Sequence, residues 1–229
     1  MASNERDEKD KLDWNVYWSK KGKSVNLLYD IIAKFYRYFI IQPYLKHFIK
    51  RSFNKNDQVL HAGCGSGQVD FGISDYVNIT ALDISPEALN IYKSLHTDAT
   101  VVNASIFDLP YEDNHFDGIY NLGVMEHFKE DEIQLILKEF KRILKPNGKI
   151  VLFWPPTFGV TVNVLDCAHF ILNKLLKMNV QLHPEEITRI RSKKHAVRII
   201  EQSGFFMENY YFGIRDLFTQ VVITASKKN

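Results

Sequence analysis

Cysteine is nearly absent from this chain: Cys64 and Cys167 are its only two. That is too few for the disulfide framework of a small secreted domain or for a four-cysteine zinc site. Proline is sparse as well, at seven of 229 residues, and no internal repeat or low-complexity tract appears, which excludes collagen-like and Pro-rich disordered architectures. No apolar run approaches the ~20 residues of a membrane-spanning helix. Tyr38 to Ile41 meets Gln42-Pro43, and Ile150 to Trp154 meets Pro155-Pro156. The eight histidines, among them His47, His96, His115, His169, His183 and His195, show no His-Glu-x-x-His spacing, so no metal is expected. The opening Asn4-Glu5-Arg6-Asp7-Glu8-Lys9-Asp10 is too charged for a signal peptide, and a reducing cytoplasm is the expected compartment.

What is present suits one globular unit. Hydrophobic residues make up 45% of the chain and charged residues 24%, enough to bury a sizeable core. The net charge of +2 conceals a segregation. Residues 56–139 carry three basic and fifteen acidic groups, whereas 20–55 carry nine and one, and 140–229 fourteen and six. An acidic middle between basic flanks fits two surfaces with different ligands, one tolerating a cation and one inviting an anion; solvated helix faces would give the same count.

Short apolar strands alternate with amphipathic helices through the middle, the pattern of a parallel sheet. Strands are expected at 58–62, 78–82, 100–103, 116–120 and 149–153. Ser85-Pro86-Glu87 combines an N-cap, a proline at the first helical position and an acid in the first turn, opening a helix to about His96. Ile133, Ile136, Leu137, Phe140, Ile143 and Leu144 recur at helical spacing, and Lys145-Pro146-Asn147-Gly148 reads as a turn into the next strand. Helices are also expected at 26–41 and, after a break at Pro43, at 44–53, then at 164–178 and 195–202. Strand-like runs at 205–212 and 219–224 would close the sheet with an antiparallel hairpin. The expected organisation is an N-terminal helical lid or cap over 1–55, a core of 56–154 with 195–229, and a helical cap insertion at 155–194.

The most informative stretch is Val59-Leu60-His61-Ala62-Gly63-Cys64-Gly65-Ser66-Gly67, a buried strand running into three alternate glycines. Such a turn lets a ligand approach the main chain at the strand's carboxyl end, and Asp83, ending the next strand, can accept both hydroxyls of a ribose. The dinucleotide fingerprint would need its third glycine where Gln68 stands, and a Walker lysine is missing. A nicotinamide-dependent oxidoreductase is therefore disfavoured.

With these residues the chain resembles the class I S-adenosylmethionine-dependent methyltransferases, particularly the small-molecule group with the signature Val-Leu-Asp-x-Gly-Cys-Gly-x-Gly. The resemblance runs over roughly residues 57–155 through four ordered blocks: Val59 to Gly67; Ala81-Leu82-Asp83-Ile84-Ser85; Asp108-Leu109-Pro110 with Asn114-His115-Phe116-Asp117; and Val124-Met125-Glu126-His127 leading into Ile143 to Gly148. It implies an α/β fold, a Rossmann-like seven-stranded, mostly parallel sheet with helices on both faces and the last strand antiparallel, plus a helical cap. S-adenosylmethionine is the implied cofactor. Gly63, Gly65 and Gly67 would approach its methionyl part, Asp83 would hold the ribose and Ile84 would pack on adenine. Ser105 and Ile106 fall where the family has an adenine-amino acceptor and an adjacent main-chain donor, and Asn121 and Leu122 fall near the sulfonium. Tyr17, with Trp14 and Trp18, stands where related enzymes fold an N-terminal lid over the cofactor; core packing is the other reading.

Two positions depart from the family. His61 replaces the usual acid of the first block, and Ser105 replaces the usual adenine-facing Asp. They keep open an alternative, a protein that binds S-adenosylmethionine or S-adenosylhomocysteine without turnover. Methyl transfer itself asks mainly for positioning and exclusion of water, and a base is needed only where the acceptor must lose a proton. His127 is the catalytic candidate, a structural helix-start histidine the competing reading, and Glu126 is open in the same way. Cys64 and Cys167 read as packed apolar positions. The acceptor is expected to be a small molecule, anionic if Arg189, Arg191, Lys193 and Lys194 serve it. Lys34, Arg37, Lys46, Lys50 and Arg51 on the aromatic helices could touch an anionic membrane surface. Without an Asn-Pro-Pro-Tyr motif or a recognition module, no nucleic-acid partner is expected. Oligomeric state is not legible.

Overall fold

The computed structural model describes residues 11–19, 34–159 and 186–228. The helix expected at 164–178, Cys167, His169 and His183 lie outside them, as does most of the expected cap at 155–194.

Seven strands form one sheet: β1 (Gln58–Ala62), β2 (Asn78–Asp83), β3 (Thr100–Asn103), β4 (Phe116–Leu122), β5 (Leu144–Trp154), β6 (Phe205–Tyr211) and β7 (Val221–Lys227). Their order is β3-β2-β1-β4-β5-β7-β6, with β1 to β5 parallel and β7 antiparallel to both β5 and β6. The fold is thus the Rossmann-like arrangement expected, and its strand order reverses between β1 and β4. Side chains alternate across the sheet as the pleat requires. Leu60, Ala62, Ile119 and Leu152 enter the core on one face, and Val59, Tyr120, Val151 and Phe153 the core on the other.

Helices cover both faces. Lys129 N–H donates to Glu132 at the start of α3 (Glu130–Ile143), whose Ile133, Ile136, Leu137, Phe140 and Ile143 are fully buried. Each such side chain contributes about 1.5–3 kcal/mol. Beside it α4 (Lys193–Gln202) starts at Ser192, whose Oγ accepts from His195 N–H at 3.1 Å. Between β2 and β3, α2 (Pro86–Leu95) begins as expected: Ser85 Oγ accepts from Ala88 N–H at 3.2 Å. The opposite face is covered by α1 (Gln42–Ser52), through Tyr44, Leu45, Phe48 and Ile49.

Two local expectations fail for backbone reasons. Pro43 does not break the helix, because a π-helical turn at Arg37–Ile41 leads straight into α1, with Gln42 N–H bonded to Arg37 O. The wider turn changes the hydrogen-bond register just before the residue that lacks an N–H. Lys145 to Gly148 is likewise a bulge within β5 rather than a separate turn. Leu144 already pairs with Phe116, pairing resumes at Lys149 with Gly118, and Asn147 takes φ 62°.

Gly118 fixes how closely α1 approaches the sheet, since a Cβ there would stand 2.1 Å from Cε1 of the buried Phe53 ring. Gly118→Ala should therefore cost about 1–3 kcal/mol by overpacking, read as a lower urea midpoint at unchanged slope. An unchanged midpoint would mean that the Phe53 ring yields freely.

Candidate active site

The reversal of strand order between β1 and β4 places a crevice beyond their carboxyl ends. β1 enters it through Gly63, Gly65 and Gly67, all in the left-handed region. Space as well as conformation demands glycine here. A Cβ on Gly67 would meet the buried Tyr92 ring at 2.4 Å, and one on Gly65 would meet the Trp18 ring at 2.7 Å.

Four of the loop's donors are already engaged. Gly63 and Cys64 N–H both bond Leu82 O (2.8 and 2.9 Å), Gly67 N–H bonds Cys64 O at 3.1 Å, and Gly65 N–H bonds Asp83 Oδ2 at 2.8 Å. These four amides leave no nest for a phosphate, which argues against a pyrophosphate-bearing dinucleotide. What the crevice offers instead is acceptors. Asp83 Oδ1 takes Ser85 N–H at 2.9 Å, so each carboxylate oxygen keeps a further lone pair, and burial raises the carboxyl's pKa despite the two amides. Asn121 donates from Nδ2 to Ala62 O at 2.7 Å, while its buried Oδ1 has no hydrogen-bond partner. Acceptors with spare capacity on the strands either side of β1 suit a ligand that brings hydroxyls and positive charge. An adenosyl sulfonium fits that description: Asp83 can take ribose hydroxyls, and Asn121 an ammonium.

The other expected residues surround this pair unevenly. Ile84 is half-buried beside Asp83, and Asn103 Nδ2 ties the main chain there by bonding Asp83 O and Ile84 O at 3.0 and 2.8 Å. Ser105 Oγ accepts from Phe107 N–H at 3.3 Å, Ile106 packs into the core on the α3 face, and Leu122 packs with the α1 face. His61 does not join them. The pleat puts its side chain on the face of Val59, where Nδ1 lies 2.7 Å from Asp70 Oδ2 and the ring stacks on Tyr120 at 4.1 Å. Asp70 also accepts from the hydroxyls of Tyr92 and Tyr120, both at 2.8 Å. The sequence gives no sign of this hub, because Asp70 follows the glycines in a stretch without periodicity.

Residues 11–19 are helical and lie over the crevice mouth. Trp18 sits on Gly65, Ser85 Oγ donates to Asn15 Oδ1 at 2.6 Å, and Trp14 packs edge-on against His127 at 5.1 Å. Tyr17 lies between Trp14 and Trp18, at 5.6 and 5.3 Å. His127 therefore faces the covering helix. Glu126, one residue earlier, is 5% exposed, with Oε2 lacking a hydrogen-bond partner. Its carboxylate approaches Gly123 just beyond β4, and its carbonyl accepts from Ile187 and Thr188 N–H. Burial, with Glu186 nearby and Arg189 opposing, pushes its pKa up to about 8. Cys64 is buried, and burial raises its thiol pKa well above the usual range. Of the basic stretch at 189–194, Arg189 pairs with Glu186 (2.6 Å) and Arg191 approaches Glu130 (3.6 Å), while Lys193 and Lys194 are exposed. Among the described residues, no group of three His, Cys, Asp or Glu side chains could hold a metal ion.

Known proteins share this arrangement. Residues 60–152 match the family model described as a methyltransferase domain. An uncharacterized methyltransferase of Synechocystis is 28% identical, over 46% of this chain and 55% of its own. The ubiquinone/menaquinone biosynthesis C-methyltransferase of Geotalea daltonii is 27% identical, over 69% of this chain and 74% of its own. A crystal structure of a SAM-dependent methyltransferase from Methanosarcina mazei superposes with a TM-score of 0.63 at 19% identity, covering 79% of this chain and 97% of that one. The chain spans about half the length, or less, of the first curated relatives it matches. Over residues 60–152, which hold the glycine loop and Asp83 and Asn121, the chain is similar to the S-adenosylmethionine-dependent methyltransferases.

Proposed function

We propose that the protein transfers a methyl group from S-adenosylmethionine to a small-molecule acceptor at the β1–β4 crevice. The observation that carries this reading is the loop with four internally bonded amides beside two acceptors with spare capacity, Asp83 and Asn121. The cofactor supplies an activated methyl on a cationic sulfur, so the protein need only orient and desolvate the partners. Asp83 holds the ribose, the main chain at 63–67 lies along the methionyl part, and Ile84, Ser105 and Ile106 border the adenine. Residues 11–19 act as a lid, with Trp18 and Tyr17 excluding water, and residues 186–194 border the acceptor side. Lys193 and Lys194 are the exposed groups there that would suit an anionic acceptor.

Glu126 is the group we assign to an acceptor's proton. Its carboxylate, with Oε1 toward Gly123 beyond β4 and Oε2 unpartnered, can accept from a hydroxyl or ammonium, and a cationic neighbour favours its ionised form. His127, packed on Trp14, serves as a lid contact in this scheme. The reading as a binder without turnover loses one of its two motives, since His61 is engaged with Asp70 away from the acceptor pair. Ser105 remains.

Asp83→Asn keeps the side chain's shape but removes its charge and one acceptor. Calorimetry should show S-adenosylmethionine and S-adenosylhomocysteine binding at least about tenfold more weakly, the worth of one hydrogen bond to a charged group. Equal affinity would remove the ribose assignment. Glu126→Gln should lower kcat about 10²- to 10⁴-fold and abolish the rise of rate with pH that an ionising base produces. An intact alkaline rise would reassign the base.

The same substitution carries a stability signature of opposite sign. The folded-state pKa of Glu126 stands above its ordinary 4.5, so its contribution is complete below about pH 4.5 and is lost as pH rises toward 8. Glu126→Gln should therefore match the wild type near pH 4.5 and exceed it at pH 8 by on the order of 4 kcal/mol in denaturant unfolding. A pH-independent difference would show that Glu126 is solvated.

A further inference from the structure

We propose that the face built from the turn at Phe35–Phe39 and the loop at Ile214–Phe218 is a docking surface for an anionic lipid bilayer. Phe35, Tyr38, Phe39 and Ile214 are each 56–66% exposed, and Leu217 and Phe218 are exposed beside them. Scattered exposed apolar residues are ordinary, but here they are joined. Phe35 and Phe39 stack at 4.4 Å, Tyr38 meets Phe39 edge-on at 5.0 Å, and Tyr36 between them donates from its hydroxyl to Thr219 Oγ1 at 2.7 Å. That bond fastens the helical turn to the loop. Tyr38, Phe39, Pro43, Lys46 and Phe71 continue the surface into a groove of about 380 Å³.

The loop's backbone adds an independent observation. Leu217 and Phe218 take φ 60° and 58°, a conformation that costs bulky side chains about a kcal/mol or more. Asp216 holds them there: it is fully buried, and its Oδ2 accepts from Thr219 Oγ1 at 2.8 Å and Gln220 N–H at 2.6 Å. The fold thus uses a buried carboxylate to present a leucine and a phenylalanine outward in a conformation that glycine would adopt freely. Phe218 meets Phe212 edge-on at 5.4 Å, and both side chains keep exposed surface for an apolar partner.

Charge selects the partner. Lys34 and Arg215 flank the apolar residues, Lys46 lies in the groove, and no acidic residue occurs from 34 to 53. A second copy meeting this face through a twofold axis would set these cations against one another. An anionic bilayer accepts both features. Aromatic rings and leucine enter the headgroup boundary while lysine and arginine reach the phosphates. Since β5 and β6 also end at this edge of the sheet, docking would place the carboxyl edge next to the lipid surface.

The test is co-sedimentation of the full chain with vesicles of phosphatidylcholine alone and with about 30% phosphatidylserine, at low and high salt. Binding should require the anionic lipid and fall with salt. Phe35→Ser with Phe39→Ser should weaken it about tenfold or more, and Lys34→Glu with Arg215→Glu should remove the preference for phosphatidylserine. Leu217→Gly separates docking from folding: glycine relieves the strained backbone, so vesicle binding should fall while Tm stays level or rises. Absence of binding by folded protein at low salt would overturn the proposal, as would equal binding by the Phe35/Phe39 variant. A concentration-dependent dimer dissolved by the same substitutions, without vesicle binding, would identify the face as a self-association surface instead.

Discussion

The carboxylate of Asp83 holds the carboxyl edge of the sheet together. One oxygen takes the amide of Gly65 and the other that of Ser85, so a single side chain joins the glycine loop after β1 to the helix start after β2. The amides of Gly63 and Cys64 reinforce the junction by sharing Leu82 O. This bonding has a chemical consequence. A glycine loop with free amides recruits anions, whereas one whose amides are satisfied internally offers only close approach and the acceptors beside it. The same backbone pattern thereby changes from a phosphate cradle to a seat for a hydroxyl-bearing cation.

A second buried carboxylate supports the first from below. Asp70 gathers His61, Tyr92 and Tyr120, while the Tyr92 ring fills the space that a side chain on Gly67 would need. Buried polar groups are tolerable only when their partners are complete, and here one carboxylate serves an imidazole and two phenols. The histidine standing where the family keeps an acid is then a change of partner within the support of the loop, with Asp70 supplying the acid from nine residues further on. Loss of Asp70 would leave His61 and both phenols buried without their shared partner.

The strands, the capped helices and the glycine loop were legible because each rests on local rules: alternation at β1 and β4, Ser85 and Pro86 at a helix start, Ile133 to Ile143 at helical spacing. What escaped reading depends on partners distant in sequence. Pro43 looked like a break because its missing amide is a local fact, while the π turn that accommodates it is not. His61 looked like a cofactor ligand because its position in the motif is visible, whereas the face to which the pleat turns it depends on which neighbours cover that face. Glu126 looked no different from any glutamate at a helix start. Its burial follows from residues near 187 folding back onto its carbonyl, a contact that no sequence spacing announces. The match to the family model ends at residue 152.

Three features set local stability against function in the same direction. Glu126 is buried with an oxygen that no protein group satisfies, Asn121 holds a second such oxygen, and Leu217 and Phe218 occupy backbone conformations that ordinary packing would avoid. Each is a cost that the surrounding core, with its fully buried α3 stripe and two covered sheet faces, is large enough to offset. Asn121 lies near the end of β4 and Glu126 just past it, and the strained loop joins β6 to β7 at the same carboxyl edge. A protein selected only to fold would neutralise such positions with small changes, a glutamine at 126 or a glycine at 217. Those that meet at the carboxyl edge of the sheet are what a site awaiting a polar ligand and a surface awaiting an apolar one would produce.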